Sequence, residues 1–446
     1  MQYTLFPLDS PNFVKLYLFK NKTDLGSIYQ TINWASLIKL LPEKKTMVGA
    51  PSWLPPQGYF GLMFLKHYLK LSDEKLLERF NTDWAIQMFC GTLLPDNEMI
   101  RDNSFVSRVR GHLGKHVDFE EFQHKIIENW KNEIPDKNIL LEDATCYEVY
   151  ISFPTDVKLL WESCEWLWAK QIPAVCKLNK LKEPRSKFKD QRKKYLTYSK
   201  LRKKSHQKTK ARKRASLRLL LKGITEFQQI LNQTKAVNLS PQDAQIFKTI
   251  KVVYQQQKHH LDNPKAKISD RIVSIYKPYI RPIVRGKENK PVEFGIKVHK
   301  MQVGGINIIE HASYSAFNEC KRLKISILKH KKMFGECSHL SADKIYATNE
   351  NRKYCTKNKI QTNFCRKGAG KDDKPTKKIK EILNKQRSTS LEGSFGTEKE
   401  HYLLNKIKAH NPRTEKVWLF FGIHTANAVK IVKRRERVKK EIPQAA

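Results

Sequence analysis

At 446 residues and 40% hydrophobic content, the chain can fold about two or three domains with sizeable cores, which excludes a largely disordered protein. Its 85 Lys and Arg against 44 Asp and Glu leave a net charge of +41, an excess that calls for a polyanionic partner, nucleic acid first. No segment approaches the run of roughly 18 apolar residues that spans a bilayer, and MQYTLFPLDSPNF lacks the basic start and apolar centre of a signal peptide, so a soluble, cytoplasmic protein with no membrane partner is expected.

In chain order, residues 1–55 mix apolar patches with Pro7, Pro11, Pro51, Pro55 and Pro56 and read as an arm with short elements. From Tyr59 the pattern turns helical. GYFGLMFLKHYLKL is followed by Ser72-Asp73-Glu74, a capping residue with acids in the first turn, and a second helix through KLLERF. Asp83 can cap a third helix, Asn103 or Ser104 begins a fourth, and DFEEFQHKIIENWKNEI makes a fifth. Short helices joined by tight turns suit a helix-turn-helix-like DNA-binding unit, with Arg108, Arg110 and Lys115 as candidate contacts.

NILLEDATCYEVYIS (138–152) breaks that regime. Its aliphatic, β-branched and aromatic residues favour a strand with Asp143 in the middle, a position disfavoured unless the carboxylate is paired, hydrogen-bonded or metal-bound. An aromatic helix follows, then twenty Lys or Arg against two acids between Lys177 and Lys222. Leu201, Leu217 and Leu219–Leu221 run through this segment, so it reads as basic helices with one apolar stripe. Phosphate contact is the expectation that follows, with a steep salt dependence. Polar helix continues to residue 262. Strand signatures return at RIVSIYKPYIRPIVRG and VEFGIKVHKMQV, then Gly304-Gly305 and INIIEHASY, a hairpin pattern. Asn318–Met333 reads as a helix, Leu340–Tyr346 as a short strand carrying Asp343, Asn349–Lys359 as a helix and IQTNFC as a strand. After a polar basic loop, Ser388–His410 reads as one helix, with Leu391, Phe395, Tyr402, Leu403 and Ile407 on its apolar face. VWLFFGIHTANAVKIVKRRERVKK closes the chain as a helix with a basic tail. The eight cysteines form no CxxC pair and match no common zinc spacing, so reduced thiols are expected.

The order is thus a strand with Asp143, a hairpin, a helix, a strand with Asp343, another strand, and a helix with Glu392. Three carboxylates arriving on two strands and a helix of one mixed sheet can converge at its edge and offer oxygens to hard divalent cations. Two such ions activate a water or a 3′-hydroxyl and stabilise the leaving oxygen at phosphorus. Lys399, seven residues after Glu392, leaves the helix from nearly the same face and can reach the adjacent phosphate.

These stretches resemble the DDE transposases of bacterial insertion sequences. FGLMFLKHYLKLSDEKLLERFNTDWAIQMFCGTLL resembles their N-terminal domain, LLEDATCYEVYISFPTD the strand with the first catalytic Asp, and RPIVRGKENKPVEFGIKVH the stretch around the hairpin. SADKIYATNENRKYC resembles the stretch around the second Asp, and LEGSFGTEKEHYLLNKIKA the helix with the catalytic Glu and its Lys. The resemblance implies a mixed α/β fold, with a ribonuclease-H-like sheet flanked by helices. Residues 1–135 would form an N-terminal helical DNA-binding domain, 136–157 and 271–425 the catalytic core, 158–270 a basic helical insertion, and 426–446 a basic tail. It implies Asp143, Asp343 and Glu392 as ligands of two Mg²⁺ or Mn²⁺ ions, and Lys399, Arg387 and Arg352, beside Arg108 and Arg110, as contacts to double-stranded DNA. A nucleoid-associated bacterial protein that pairs transposon ends as a homodimer, cleaves DNA and joins 3′-hydroxyls to target DNA is the expected whole. A non-catalytic nucleic-acid-binding protein and a metal-dependent nuclease of the same fold are the alternatives. Two departures stand out. Related transposases often place an Arg four residues before the Glu, where this chain has Ser388 with Arg387 one residue off. They usually carry Asp-Gly at the hairpin, where this chain has Gly304-Gly305.

Overall fold

The structure is a computed structural model and describes residues 11–42, 52–95, 97–234, 239–284, 291–368, 370 and 372–441. Pro7 and Pro51 of the expected arm, residues 285–290 of the expected strand stretch, residues 369 and 371 of the basic loop and the last five residues of the tail lie outside the described residues. The chain divides into two compact units. The first comprises Met1–Tyr150, Ile296–Ser313 and Phe317–Ala446, the second Ile151–Gly295 and Tyr314–Ala316. The helical residues expected as a separate N-terminal domain therefore cluster with the sheet, and the expected insertion widens from 158–270 to 151–295.

The first unit opens with helices α1 (Pro11–Lys22), α2 (Asp24–Tyr29), α3 (Trp34–Ile38), α4 (Pro56–Leu69), α5 (Asp73–Thr82), α6 (Trp84–Phe89), α7 (Phe105–His116) and α8 (Phe119–Trp130). Their starts follow from capping. Ser72 Oγ accepts from Lys75 N, and Asp83 and Asp118 each accept two backbone N–H groups, contacts worth about 1 kcal/mol apiece. Strand β1 (Ile139–Val149) follows, buried along almost its whole length.

The second unit holds α9 (Asp156–Glu165), a π-helical turn (Trp166–Gln171), α10 (Ile172–Leu178), α11 (Phe188–Lys200), α12 (His206–Gln233), α13 (Pro241–Asp262) and β2 (Pro282–Val284). Trp166, Leu167 and Trp168 share a core with Leu217, Leu219 and Leu220 of the basic run and with Phe227, Phe247 and Ile250, whereas Leu221 is exposed and Leu201 lies outside that core. Asp156 gathers Lys213, Arg271 (2.5 Å) and Gln257 (3.2 Å) at the start of α9. The strand expected over 271–286 shrinks to β2, which pairs with Val292–Phe294. Pro278 lacks a ladder donor and Lys277–Ile280 closes a turn, Ile280 N to Lys277 O at 3.2 Å.

The chain continues through β3 (Val292–Val303), β4 (Ile306–Ser313), α14 (Leu323–Phe334), β5 (His339–Ser341), α15 (Asn349–Lys357), β6 (Gln361–Thr362), α16 (Lys374–Gln386), a π-helical turn (Arg387–Glu392), α17 (Gly393–His401), β7 (Lys406–Ile407) and α18 (Pro412–Glu441). In the first unit the strands run β4-β3-β1-β5-β6, with β7 also on β1; β5 and β7 are parallel to β1, and β4 is antiparallel to β3. Gly304 and Gly305 turn the hairpin with φ of 50° and 79°, and a Cβ at Gly304 would lie 2.3 Å from Pro135 O, so only glycine fits there. The aromatic half of α18 packs against the opening helices, with Phe421 4.9 Å from Phe122 and 5.0 Å from Phe64 between ring centroids. No described helix is long and apolar enough to cross a membrane.

The helix expected over Ser388–His410 ends at His401. Leu403 takes a left-handed φ of 56°, and the chain then extends so that Ile407 pairs with Val149. Ile407 is buried in the sheet rather than on a helix stripe. Likewise the strand expected over Leu340–Tyr346 stops at Ser341, and Asp343 caps a short 3₁₀ turn.

Candidate active site

Register brings the first two acids together. β1 and β5 pair in parallel through Ile139↔His339, Leu140↔Leu340 and Leu141↔Ser341. Asp143 and Asp343 each lie two residues past the last pair, so they stand abreast just beyond the carboxyl end of β5. β7 joins β1 only at Glu148 and Val149, which leaves the middle of β1 open to side chains from other elements. In α/β sheets, ligands bind beyond the carboxyl ends of strands in this way.

The π-helical turn supplies what faces that gap. Arg387 Nη1 lies 2.9 Å from Asp143 Oδ2 and 2.7 Å from Glu392 Oε1. A π turn closes from residue i to i+5, so it aligns Arg387 with the fifth residue on, Glu392. The one-residue offset visible in the sequence is absorbed by the wider turn, and Arg387 reaches both acids. Asp143 is mostly enclosed, and burial, reinforced by the nearby Glu319 and Asp343, pushes its carboxyl up to about 6. The Ala144 N–H and the Arg387 guanidinium oppose that rise. Asp343 is exposed, its Oδ1 accepting from Lys344 N at 2.6 Å.

Successive inward residues of one strand face carry the rest of the site. Asp143 meets Arg387; Thr145 Oγ1 lies 3.3 Å from Lys399 Nζ, which also sits 5.6 Å above the Tyr147 ring; and Tyr147 Oη donates to Glu398. Glu398 is fully buried, with Lys300 Nζ 2.7 and 2.8 Å from its two oxygens and Asn307 Nδ2 at 2.8 Å. Burial holds Lys300 below the usual lysine range against the pull of Glu398. This pair seats α17 on the sheet next to Lys399. Sequence reasoning missed it, because an exposed-looking Glu-Lys-Glu run and a lysine in a strand carry no mark of burial. On the other face of β1, burial raises Glu142 to about 7, with His299 4.0 Å away and bonded in turn to Glu310 at 3.0 Å.

The remaining predicted contacts are dispersed. Arg108 is exposed and paired with Asp102. Arg110 is a correction: it is buried, 2.7 Å from Asp73 and 4.9 Å over the Trp418 ring, where no phosphate can reach it. Arg352 binds Ala347 O at 3.0 Å and lies over Phe364. Cys337 and Cys355 are buried thiols, raised to about 12 by burial. Among the described residues, no group of three or more His, Cys, Asp or Glu is gathered closely enough to hold a metal ion; at Asp143 and Glu392 the guanidinium of Arg387 provides the positive charge.

Residues 16–112, spanning most of α1 to α7, match the family model described as Transposase domain (DUF772). No curated protein and no solved structure matches the chain.

Proposed function

We propose that the chain is a DDE transposase that binds the terminal inverted repeats of its element, cleaves DNA and joins the 3′-hydroxyl ends to target DNA. The observation that carries this reading is the convergence at one opening of the sheet: Asp143 and Glu392 on a shared arginine, Asp343 abreast by register, and Lys399 beside them. The resemblance of the same stretches to insertion-sequence transposases and the transposase-domain match support it.

The ligand types suit a hard divalent cation, but among the described residues the three acids are not gathered closely enough to hold one, and Arg387 sits between Asp143 and Glu392, so an ion would bind only as the arginine gives way and the acids draw together. The donors are all oxygen, and an Asp143 raised to about 6 by burial and neighbouring acids is a carboxylate whose ionised form a cation would stabilise. Mg²⁺ or Mn²⁺, two ions in the full reading, would activate a water or 3′-hydroxyl and stabilise the leaving oxygen. Asp143, Asp343 and Glu392 would hold them. Arg387 balances the acids and presents a planar fork suited to a phosphate, and Lys399 offers a point charge to the next phosphate along the strand. Pairing two ends calls for a homodimer on double-stranded DNA.

The test uses the full chain with duplexes bearing the element's ends. Asp143→Asn and Glu392→Gln should each abolish Mg²⁺-dependent cleavage while duplex binding persists. Cleavage at the wild-type rate in both variants would refute the site. Wild-type cleavage that never yields joined products from pre-cut ends would make the protein a nuclease instead.

A further inference from the structure

The π-helical turn and α17 have a second polar side that the proposed chemistry does not use. Thr389, Ser390, Gly393, Ser394 and Thr397 line it, and across from them run the hairpin turn at Gly305 and the basic half of α18. Two adjoining cavities of about 320 and 250 Å³ share Gly305, Ser390 and Lys430, so together they form one groove along this wall.

The groove is basic on balance, with Lys430, Lys433 and Arg434 set against Asp136 at one end and Glu398 in the floor. Lys430, Lys433 and Arg434 stand at i, i+3 and i+4, on one face of α18. Lys430 Nζ is fixed by Gly305 O at 2.9 Å, and Arg434 is fixed by the carbonyls of Gly304 and Glu133. Among the described residues, none of the three makes an ion pair, and the carboxylate in the floor, Glu398, is already matched by Lys300. Cations held together by backbone carbonyls repel one another, and burial with the neighbouring Arg434 and Lys300 holds Lys430 below the usual lysine range. A polyanion lying in the groove would relieve that repulsion, as phosphates do for basic clusters generally.

We propose that this groove seats the sugar-phosphate backbone of double-stranded DNA, through basic residues other than those placed beside Asp143. The proposal rests on the transposase reading for its partner, and it gives the protein a DNA contact on each side of the same helix. Two sides of one helix can hold two duplex segments at once, which a joining reaction needs.

The test measures binding of the full chain to a short duplex of arbitrary sequence by fluorescence anisotropy across a salt series. Lys433→Glu and Thr397→Glu change exposed residues and place an acid in the groove. Lys433→Glu should flatten the slope of log affinity against log salt by about 1, the loss of one phosphate contact, and Thr397→Glu, which sets an acid against the same backbone, by up to as much, while Lys433→Arg keeps the wild-type slope. A melting midpoint equal to wild type confirms folding of each variant. Unchanged slopes in two folded variants overturn the proposal. So does loss of inorganic phosphate binding without change in duplex binding, which would make the groove a small-anion site. Asp143→Asn in the Mg²⁺-dependent cleavage assay on the element's ends separates the two ideas: persistent cleavage there refutes the catalytic assignment and leaves the groove result standing.

Discussion

Glu398→Gln should be the most damaging single substitution in α17, although the residue touches no proposed ligand. The carboxylate receives both contacts from Lys300 at 2.7 and 2.8 Å, one from Asn307 at 2.8 Å and one from Tyr147, and neither Glu398 nor Lys300 is open to water. Glutamine keeps the shape but removes the charge and turns an amide donor toward donors. Lys300 is then a buried cation without its counter-ion, a change that costs about 3–5 kcal/mol. Against a total stability on the order of 5–15 kcal/mol, that is a large share. The assay is urea denaturation of the full chain, with amide hydrogen exchange resolved over Gly393–His401. The expected result is a lowered midpoint and faster exchange in that helix. Lys300→Met combined with Glu398→Leu should cost well under the sum of the single substitutions, because it removes both charges. A loss below about 1 kcal/mol for Glu398→Gln is the value of a solvent-exposed pair and would refute the dry, helix-seating role.

Two further outcomes follow from the same geometry. In metal-free buffer, Asp143→Asn should stabilise the chain relative to wild type as pH rises. The Asp143 carboxyl is raised from 3.8 to about 6 in the folded state, so its stability contribution is complete below 3.8 and lost by the time pH passes 6. That difference corresponds to about 3 kcal/mol, so the gap between variant and wild type, measured by denaturation at pH 4 and pH 7.5, should widen by up to that amount; a pH-independent gap refutes it. Arg110→Ala should lower the melting midpoint through loss of the buried pair with Asp73 and the stack on Trp418, yet leave the salt slope of duplex binding unchanged. A flattened slope with an unchanged midpoint would return Arg110 to the DNA-facing surface.

What the sequence made legible was local or periodic. The caps at Ser72 and Asp83 and the β-rich run around Asp143 declare themselves within a few residues, and the glycine turn of the hairpin does so too. The order of the three acids was legible for the same reason, since each sits in a short segment of clear type. Contacts that span the chain were not. Lys300 and Glu398 are 98 positions apart, and each looks like a surface residue beside its neighbours. Arg110 sits on an amphipathic helix, where local pattern cannot say whether a charged residue near the boundary faces solvent or a partner such as Asp73. The strand stretch before residue 286 was misread because its apolar content is real but serves packing of Ile272, Ile275 and Ile280, with prolines interrupting any ladder.

The spacing of the charged residues along the π-helical turn and α17 follows from how that segment is held. A regular α-helix would place Ser388, four residues before Glu392, on the face that meets Asp143, and leave Arg387 turned away by about 100°. Widening one turn to the π form rotates Arg387 back into register with Glu392, and Asp143 then bonds to the same guanidinium. A π turn is less favourable than α-helix and persists only where its surroundings over-determine it. Here Leu391 is fully buried at the turn, Arg387 is tied to two acids on one side, and Glu398 is tied to Lys300, Tyr147 and Asn307 less than two turns on. These anchors fix the rotation of α17 at both ends, and Lys399 Nζ reaches Thr145 Oγ1 at 3.3 Å. The seven-residue interval from Glu392 to Lys399 thus acquires its meaning from a five-residue interval before it and a buried glutamate within it.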